Sequence, residues 1–268
     1  MYLKCYDFSG IRLGIESETP LEDNDRLQKF RSDLAPEYVI SVEFVKSVPE
    51  TSDCTEFFVK RLRPKASEPE QPFVCTEFYE DRCRMQVLES RDGFDVDSVL
   101  RSLPLSHMLL KFDAFVLHGA YILVEGEAII FSAPSGTGKS TQAELWRAQR
   151  NAAVINGDRV LVRKGESGFN AGGIYFAGTS GICENVTAPL RAIVVLGQAK
   201  QNTVRRCTGS QAMHSLFGES ACFDAEGEPL RLVELLSDLI NCTEVLRLDC
   251  LPDASAVEAL AEHLYGEA

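Results

Sequence analysis

The first third of the chain is built from short runs in which apolar and polar residues alternate, the period of a strand with one buried face. Tyr38 to Val45, Glu56 to Lys60, Phe73 to Tyr79 and Cys83 to Leu88 read as such strands, with Glu80-Asp81-Arg82 as a turn between the last two. Between residues 47 and 72 the pattern lapses. Pro49, Pro64, Pro69 and Pro72 stand among charges, and Lys65 to Gln71 is the most loop-like run in the chain. The period then lengthens. Over Asp97 to Phe115 the residues Val99, Leu100, Leu103, Met108, Leu109 and Phe112 recur on one helical face, with a break at Pro104. From residue 116 onward, strands and helices alternate. Tyr121 to Val124 and Ala128 to Phe131 flank a hairpin turn at Glu125-Gly126-Glu127. Ala153 to Ile155, Val160 to Arg163, Leu190 to Leu196 and Glu244 to Leu248 are further strands. Ser140 to Gln149, Leu230 to Ile240 and Ala254 to Leu264 are helices, the last capped by Asp253. The pattern predicts a small β-rich α+β domain over residues 1–95, a helical bridge over 96–115, and an α/β domain over 116–268.

One stretch of the second domain carries its chemistry in its spelling. Ala133-Pro-Ser-Gly-Thr-Gly-Lys139-Ser140 follows GxxxxGK[ST], with Ala in the place of the first Gly. Gly136 and Gly138 let the backbone turn so that successive N–H groups point at phosphate oxygens. A helix beginning near Lys139 adds the positive end of its dipole. Lys139 is a mobile point charge for the β- and γ-phosphates, and the Ser140 hydroxyl is placed to ligate Mg²⁺. The expectation is a site for ATP with Mg²⁺ formed by Ser135, Gly136, Thr137, Gly138, Lys139, Ser140 and Thr141. A chance Gly-rich turn is the competing explanation. A strand before the motif and a helix after it argue against that explanation.

Charge narrows the partners. The 268 residues hold 40 acidic and 27 basic side chains, a net charge of −13. Such a chain repels nucleic acid and anionic membrane over most of its surface, so a phosphate site has to be built locally. Nine cysteines include no CxxC pair and follow no metal-ligand spacing, which reads as reduced cysteines of a cytoplasmic protein. The first residues lack the basic start and apolar run of a signal peptide, and no window approaches the roughly 18 uncharged apolar residues of a membrane span.

Two residues outside the loop extend its chemistry. Asp158 lies in Val154-Ile-Asn-Gly-Asp-Arg-Val-Leu-Val162. An aspartate at a strand end near a phosphate loop can hold Mg²⁺ or take a proton from an attacking hydroxyl. Asn-Gly-Asp is also good turn sequence, and the residues alone leave these readings open. His118, in Leu117-His-Gly-Ala-Tyr121, is either a hydrogen-bonded histidine at a strand start or part of the site. Taken together, His118-Gly119, a strand–turn–strand, Pro134 to Ser140, and Asp158 before Val160 resemble the C-terminal catalytic domain of bacterial HPr kinase/phosphorylase and its kinase homologues. That family shares its core with phosphoenolpyruvate carboxykinase. The resemblance covers roughly residues 115 to 266. It implies a P-loop kinase domain with a mixed sheet, Asp158 as general base, His118 near the γ-phosphate, and Lys139 and Ser140 on phosphate and metal. It also implies a hexamer, though a dimer or monomer is equally open.

The departures from that family are specific. The first Asp of its Asp-Asp pair is Gly157 here, and its glutamate-bearing signature has no clear counterpart. Residues 176–185 read instead as a loop over the site, with Glu184 as a substitute metal ligand. A phosphate-facing arginine would be Arg205 or Arg206, which read equally well as solvated charges after a strand. The leading expectation is a kinase that phosphorylates a hydroxyl acceptor, either a serine of a peptide or protein or a small molecule. The alternative is a nucleotide-binding regulatory or scaffolding module with little chemistry. Decarboxylation of the phosphoenolpyruvate carboxykinase kind lacks its additional metal ligands. The aromatic residues Phe44, Phe57, Phe58, Phe73, Phe78 and Tyr79 read as an ordinary N-terminal core, and Trp146 as core rather than a base-stacking residue.

Overall fold

A computed structural model describes residues 1–62, 69–89, 93–220 and 228–266. The chain divides into two units, Met1–Met108 and Leu109–Ala268, so the boundary falls inside the expected bridge. Pro64 and residues 65–68 of the expected loop-like run lie outside the described residues, as does Cys222. The other eight cysteines form no disulfide among the described residues. Among the described residues, no helix is long and apolar enough to cross a membrane.

The first unit holds strands β1 (Tyr2–Phe8), β2 (Ile11–Ser17), β3 (Tyr38–Val45), β4 (Phe57–Leu62), β5 (Gln71–Phe78) and β6 (Arg82–Leu88), with helices α1 (Asp25–Gln28) and α2 (Val96–Ser102). They form one mixed sheet in the order β1-β2-β3-β6-β5-β4, with β2–β3 and β3–β6 parallel. The four strands read from the sequence are present. The hairpin β1–β2 went unread, although Ser9 and Gly10 both take positive φ (57° and 82°), which suits a two-residue turn between right-twisting strands. That hairpin corrects the expected core. Tyr6, Phe8, Phe30 and Tyr38 are buried, whereas of the six aromatics expected only Phe78 is; Tyr79 is exposed and the others are half-buried.

Helix α3 (Leu105–Leu110) ends the bridge, and the expectation of helix to Phe115 is wrong at its end. Asp113 takes a left-handed backbone (φ 53°), and from Ala114 the chain is already a strand paired with residue 163. Leu109 keeps its helical place, Phe112 falls in the turn after α3, and only from Ala114 does sheet pairing replace the helix.

The second unit has strands β7 (Ala114–Val124), β8 (Glu127–Ser132), β9 (Ala153–Asn156), β10 (Arg159–Gly165), β11 (Gly168–Gly172), β12 (Thr187–Gln198), β13 (Thr203–Arg206) and β14 (Glu244–Cys250), and helices α4 (Lys139–Arg150), α5 (Gly209–Ser220), α6 (Glu228–Cys242) and α7 (Ala254–Tyr265). The sheet is mixed, in the order β11-β10-β7-β8-β12-β14-β13, with β9 also on β7. The whole chain is thus α/β with mixed sheets and seven helices among the described residues. Strands β8, β12 and β14 are mutually parallel, so their carboxyl ends meet at one edge of the sheet.

Alternation along the central strands explains the layering. Ile130, Ile193 and Val195 point into one core with Leu216 of α5 and Leu232, Leu235 and Leu236 of α6. Ile129, Phe131, Val194 and Leu196 point into the other with Trp146 of α4 and Val257 and Leu260 of α7. Trp146 is fully buried against Phe131, as expected of a core residue. The phosphate-motif residues follow β8 directly, at the carboxyl edge of the sheet, where α/β folds place ligands.

Candidate functional site

The motif forms a loop between β8 and α4. Gly136 and Gly138 take positive φ (81° and 120°), so the glycines serve the backbone conformation expected of them. Ala133 is not among the positive-φ residues, which is why alanine serves in place of the first glycine. Gly138 is the N-cap of α4 and supplies no side-chain cap, so the first N–H groups of a twelve-residue helix face the cleft without a capping side chain. The Thr137 hydroxyl donates to the Pro134 carbonyl (2.9 Å) and closes the turn. Lys139 is 8% exposed, and its Nζ donates to the Ala133 (2.6 Å) and Pro134 (3.3 Å) carbonyls. Burial lowers its pKa below the ordinary lysine range; the carboxylates of Glu219 and Asp158 act against that shift.

Across the cleft stands a group assembled from distant parts of the chain. β9 and β10 both pair antiparallel with β7, Asn156 opposite Tyr121 and Arg159 opposite His118 in one register, with a one-residue shift within β9 before Asn156. Both strands therefore continue one line along β7, and the hairpin reading of Asn-Gly-Asp is excluded. Gly157 and Asp158 interrupt that line as a bend, where the Gly119 N–H donates to the Asp158 carbonyl (2.9 Å). Gly119 has to be small there. A Cβ on it would come 2.7 Å from the Ile130 methyl and 3.0 Å from the Phe131 carbonyl oxygen. The His-Gly pair thus puts His118 beside Asp158, with Nε2 3.7 Å from the Asp158 carboxylate, adjacent but beyond hydrogen-bond length. On the other side of the ring, Nδ1 donates to Glu219 at the end of α5 (2.6 Å). Arg159 flanks the carboxylate with its Nε 3.6 Å from Asp158 and its guanidinium over the Phe176 ring.

The bend is shaped by Asn156, which is fully buried. Its amide oxygen accepts from the Asp158 and Arg159 N–H groups (2.9 and 3.0 Å), and its NH₂ donates to the Ile174 and Phe176 carbonyls (both 2.9 Å). One side chain therefore fixes Asp158 and also ties down the loop that follows β11. That loop returns over the site as expected. Gly178, Thr179 and Ser180 line a cleft of 310 Å³ with His118, Ser135, Gly136, Gly138, Lys139, Ser140, Thr141, Gly157 and Asp158. It also accounts for Gly157. A Cβ at 157 would lie 2.5 Å from the Ser180 hydroxyl, so this loop occupies the space a larger side chain at 157 would need.

The cleft thus gathers most of the expected residues. Thr137 lies in the loop but faces a neighbouring pocket. Glu184 is half-buried, with its N–H donating to the Ile155 carbonyl, and does not line the cleft. Arg205 and Arg206 are exposed, sit within β13 rather than after a strand, and do not line it either; Arg205 donates to Gln211 and Arg206 lies 4.0 Å from Glu244. Sequence reading missed Glu219, Asn156 and Ser180. Glu219 lies 101 residues from His118, and no local pattern joins them. Asn156 was visible only as a turn-forming residue, and Ser180 only as part of the loop expected over the site. Compared with known proteins, the chain matches no protein-family model and no curated protein.

Proposed function

We propose that this cleft binds ATP and transfers its γ-phosphoryl group to a hydroxyl acceptor, a serine of a peptide or protein or a small molecule. The observation that carries the reading is one cleft with two unlike walls: a glycine loop at a helix N-terminus with Lys139, and facing it Asp158 beside the His118–Glu219 pair. Phosphoryl transfer asks a protein for positioning, charge neutralisation and proton removal. The loop N–H groups and Lys139 would hold the β- and γ-phosphates. Asp158 would accept the proton of the attacking hydroxyl as oxygen bonds to phosphorus and ADP leaves. Glu219, by accepting from Nδ1–H, turns the free Nε2 of His118 toward Asp158 and the cleft, where a protonated ring would stabilise charge on the transferring group.

The donors present also suit Mg²⁺. The Ser140 hydroxyl and Asp158 carboxylate line the same cleft, a sparse oxygen set of the kind this ion accepts when phosphates and water complete its shell. Among the described residues, no cluster of three or more His, Cys, Asp or Glu forms an all-protein metal cage. Bound there, Mg²⁺ would neutralise charge on the phosphate oxygens. On this reading residues 116–268 are a P-loop kinase domain of the HPr kinase/phosphoenolpyruvate carboxykinase type, without the second carboxylate of that family's pair.

One feature favours the second reading, a nucleotide-binding regulatory module. The 178–180 segment sits so closely on Gly157 and Asp158 that a Cβ at Gly178 would come 2.7 Å from the Asp158 Cβ. A loop this close restricts the approach of an acceptor to Asp158. The two readings separate in one experiment. The protein is incubated with γ-labelled ATP and a lysate fractionated into peptides and metabolites, and each fraction is scored for label. Label in a fraction that disappears with Asp158→Asn supports the kinase. No label in any fraction, with ATP still bound, supports the module.

A further inference from the structure

A second pocket, of 390 Å³, opens beside the phosphate cleft and shares Gly136, Gly138 and Thr141 with it. Its other walls come from the carboxyl ends of β12 and β14: Leu196 to Ala199 on one side, Cys250 to Pro252 on the other, with Gln142 of α4 at its base. None of His118, Asp158 or residues 178–180 lines it. Sheet order explains why. The loop leaves β8, which stands between β7 on one side and β12 on the other. The His118–Asp158 group is built on the β7–β10 side, and this pocket on the β12–β14 side. The phosphate loop therefore runs from one cavity to the other.

The walls differ in character. Leu196, Ala199, Leu251 and Pro252 make this pocket largely apolar, while the phosphate cleft is lined by hydroxyls, glycine backbone and ionisable groups. Gln142 is 2% exposed and donates through Nε2 to the Cys250 sulfur (3.4 Å), and its amide oxygen has no partner. A buried acceptor without a donor is costly unless a ligand supplies one. Gln198 donates to the Thr137 carbonyl (3.4 Å) and ties the outer wall to the loop.

We infer that this second pocket seats the heteroaromatic base of the nucleotide, with the Gln142 amide oxygen accepting from an exocyclic amine such as that of adenine. The inference rests on the proposed phosphate site, and it orients the substrate: base over the ends of β12 and β14, terminal phosphate toward His118 and Asp158. Apolar walls suit a flat ring, and one correctly placed acceptor gives selectivity that area alone does not.

The test compares ATP, ITP (which carries oxygen in place of the amine) and inorganic tripolyphosphate by calorimetry with Mg²⁺ present. The wild-type chain should bind ATP at least about tenfold tighter than tripolyphosphate. Ala199→Trp, at a half-exposed position in the wall, should remove that advantage by weakening ATP alone. Gln142→Leu should weaken ATP about fivefold, to the level of ITP, and leave ITP and tripolyphosphate unchanged. Equal affinity of the wild type for ATP and tripolyphosphate, or equal loss of both in Ala199→Trp, overturns the base pocket while the phosphate site stands. If the wild type binds none of the three, or Lys139→Ala leaves tripolyphosphate binding untouched, the phosphate site falls and the base pocket with it.

Discussion

The two walls of the cleft are made by different means. The phosphate wall is local: directly after β8, within nine residues from Ala133 to Thr141, two glycines turn the backbone and a helix begins. Its donors are backbone groups together with one side chain of the same segment, Lys139. The opposite wall is assembled. His118 comes from β7, Asp158 from a bend held by Asn156, Glu219 from the end of α5, and Ser180 from the loop after β11. A site for a common group, phosphate, can be written in a short motif. The wall proposed to act on an acceptor depends on long-range pairing, and it is free to change while the motif stays.

The comparison breaks most visibly at Lys139. Lys139→Ala should abolish measurable ATP binding and lower any transfer at least about 10³-fold, because the charge that holds the phosphates is gone. Calorimetry and label transfer read both, and unchanged turnover would remove the loop from the mechanism. Asp158→Asn acts on the other wall. Transfer should fall by about 10²- to 10⁴-fold with ATP affinity within about threefold of wild type, since the amide cannot take the proton but is nearly isosteric. A large loss of ATP affinity instead would make Asp158 chiefly a metal or phosphate ligand.

This contrast also governs what the sequence revealed. The loop, α4, the β7–β8 hairpin and the α7 cap at Asp253 are legible because each follows from turn, cap or period within a few residues. The β1–β2 hairpin was equally local, with Ser9-Gly10 between alternating runs, and could have been read. Strand β13 could not be, since Thr203-Val-Arg-Arg206 has a single apolar residue and exists as an edge on β14. Asp158 drew notice, but choosing between turn and site needed the pairing of β9 and β10 with β7 rather than with each other. Glu219 was illegible for the same reason on a larger scale: α5 buries Ala212 and Leu216, and only that packing aims Glu219 at His118.

Asn156→Ala tests how far the assembled wall depends on its scaffold. Two carbonyls and two N–H groups, one of them buried and three part-buried, would lose their partner, at a cost of about 3 kcal/mol. For a unit of this size that lowers Tm by about 8 °C. A melting scan reads it, and a shift under about 2 °C would mean that water or a neighbour replaces the amide. The local wall should be less affected: tripolyphosphate affinity of the folded variant should stay near wild type while transfer drops. Glu219→Gln is gentler. The His118 ring keeps a neighbour but loses the carboxylate, and transfer should fall about tenfold with ATP affinity little changed. No change in rate would reduce the His118–Glu219 pair to a structural contact.

The smallest effect links the two walls, through the charge of Lys139. Burial penalises its ammonium form and moves its pKa down, while Glu219 and Asp158 across the cleft oppose the shift. On the proposed reading the loop needs the charged form to hold phosphate. ATP affinity should therefore be full at neutral pH and fall as pH rises through the lowered pKa, beginning below the ordinary lysine range. Above about pH 8 the terminal phosphate is fully ionised, so the fall belongs to the protein. Glu219→Gln removes one of the opposing carboxylates and should shift the fall to lower pH. Lys139→Arg should remove it, because a guanidinium stays protonated throughout. An affinity titration from about pH 8 to about pH 10 tests all three chains. If the profile of Glu219→Gln coincides with that of the wild type, the charge of Glu219 does not reach Lys139, and the two walls act on the phosphate independently.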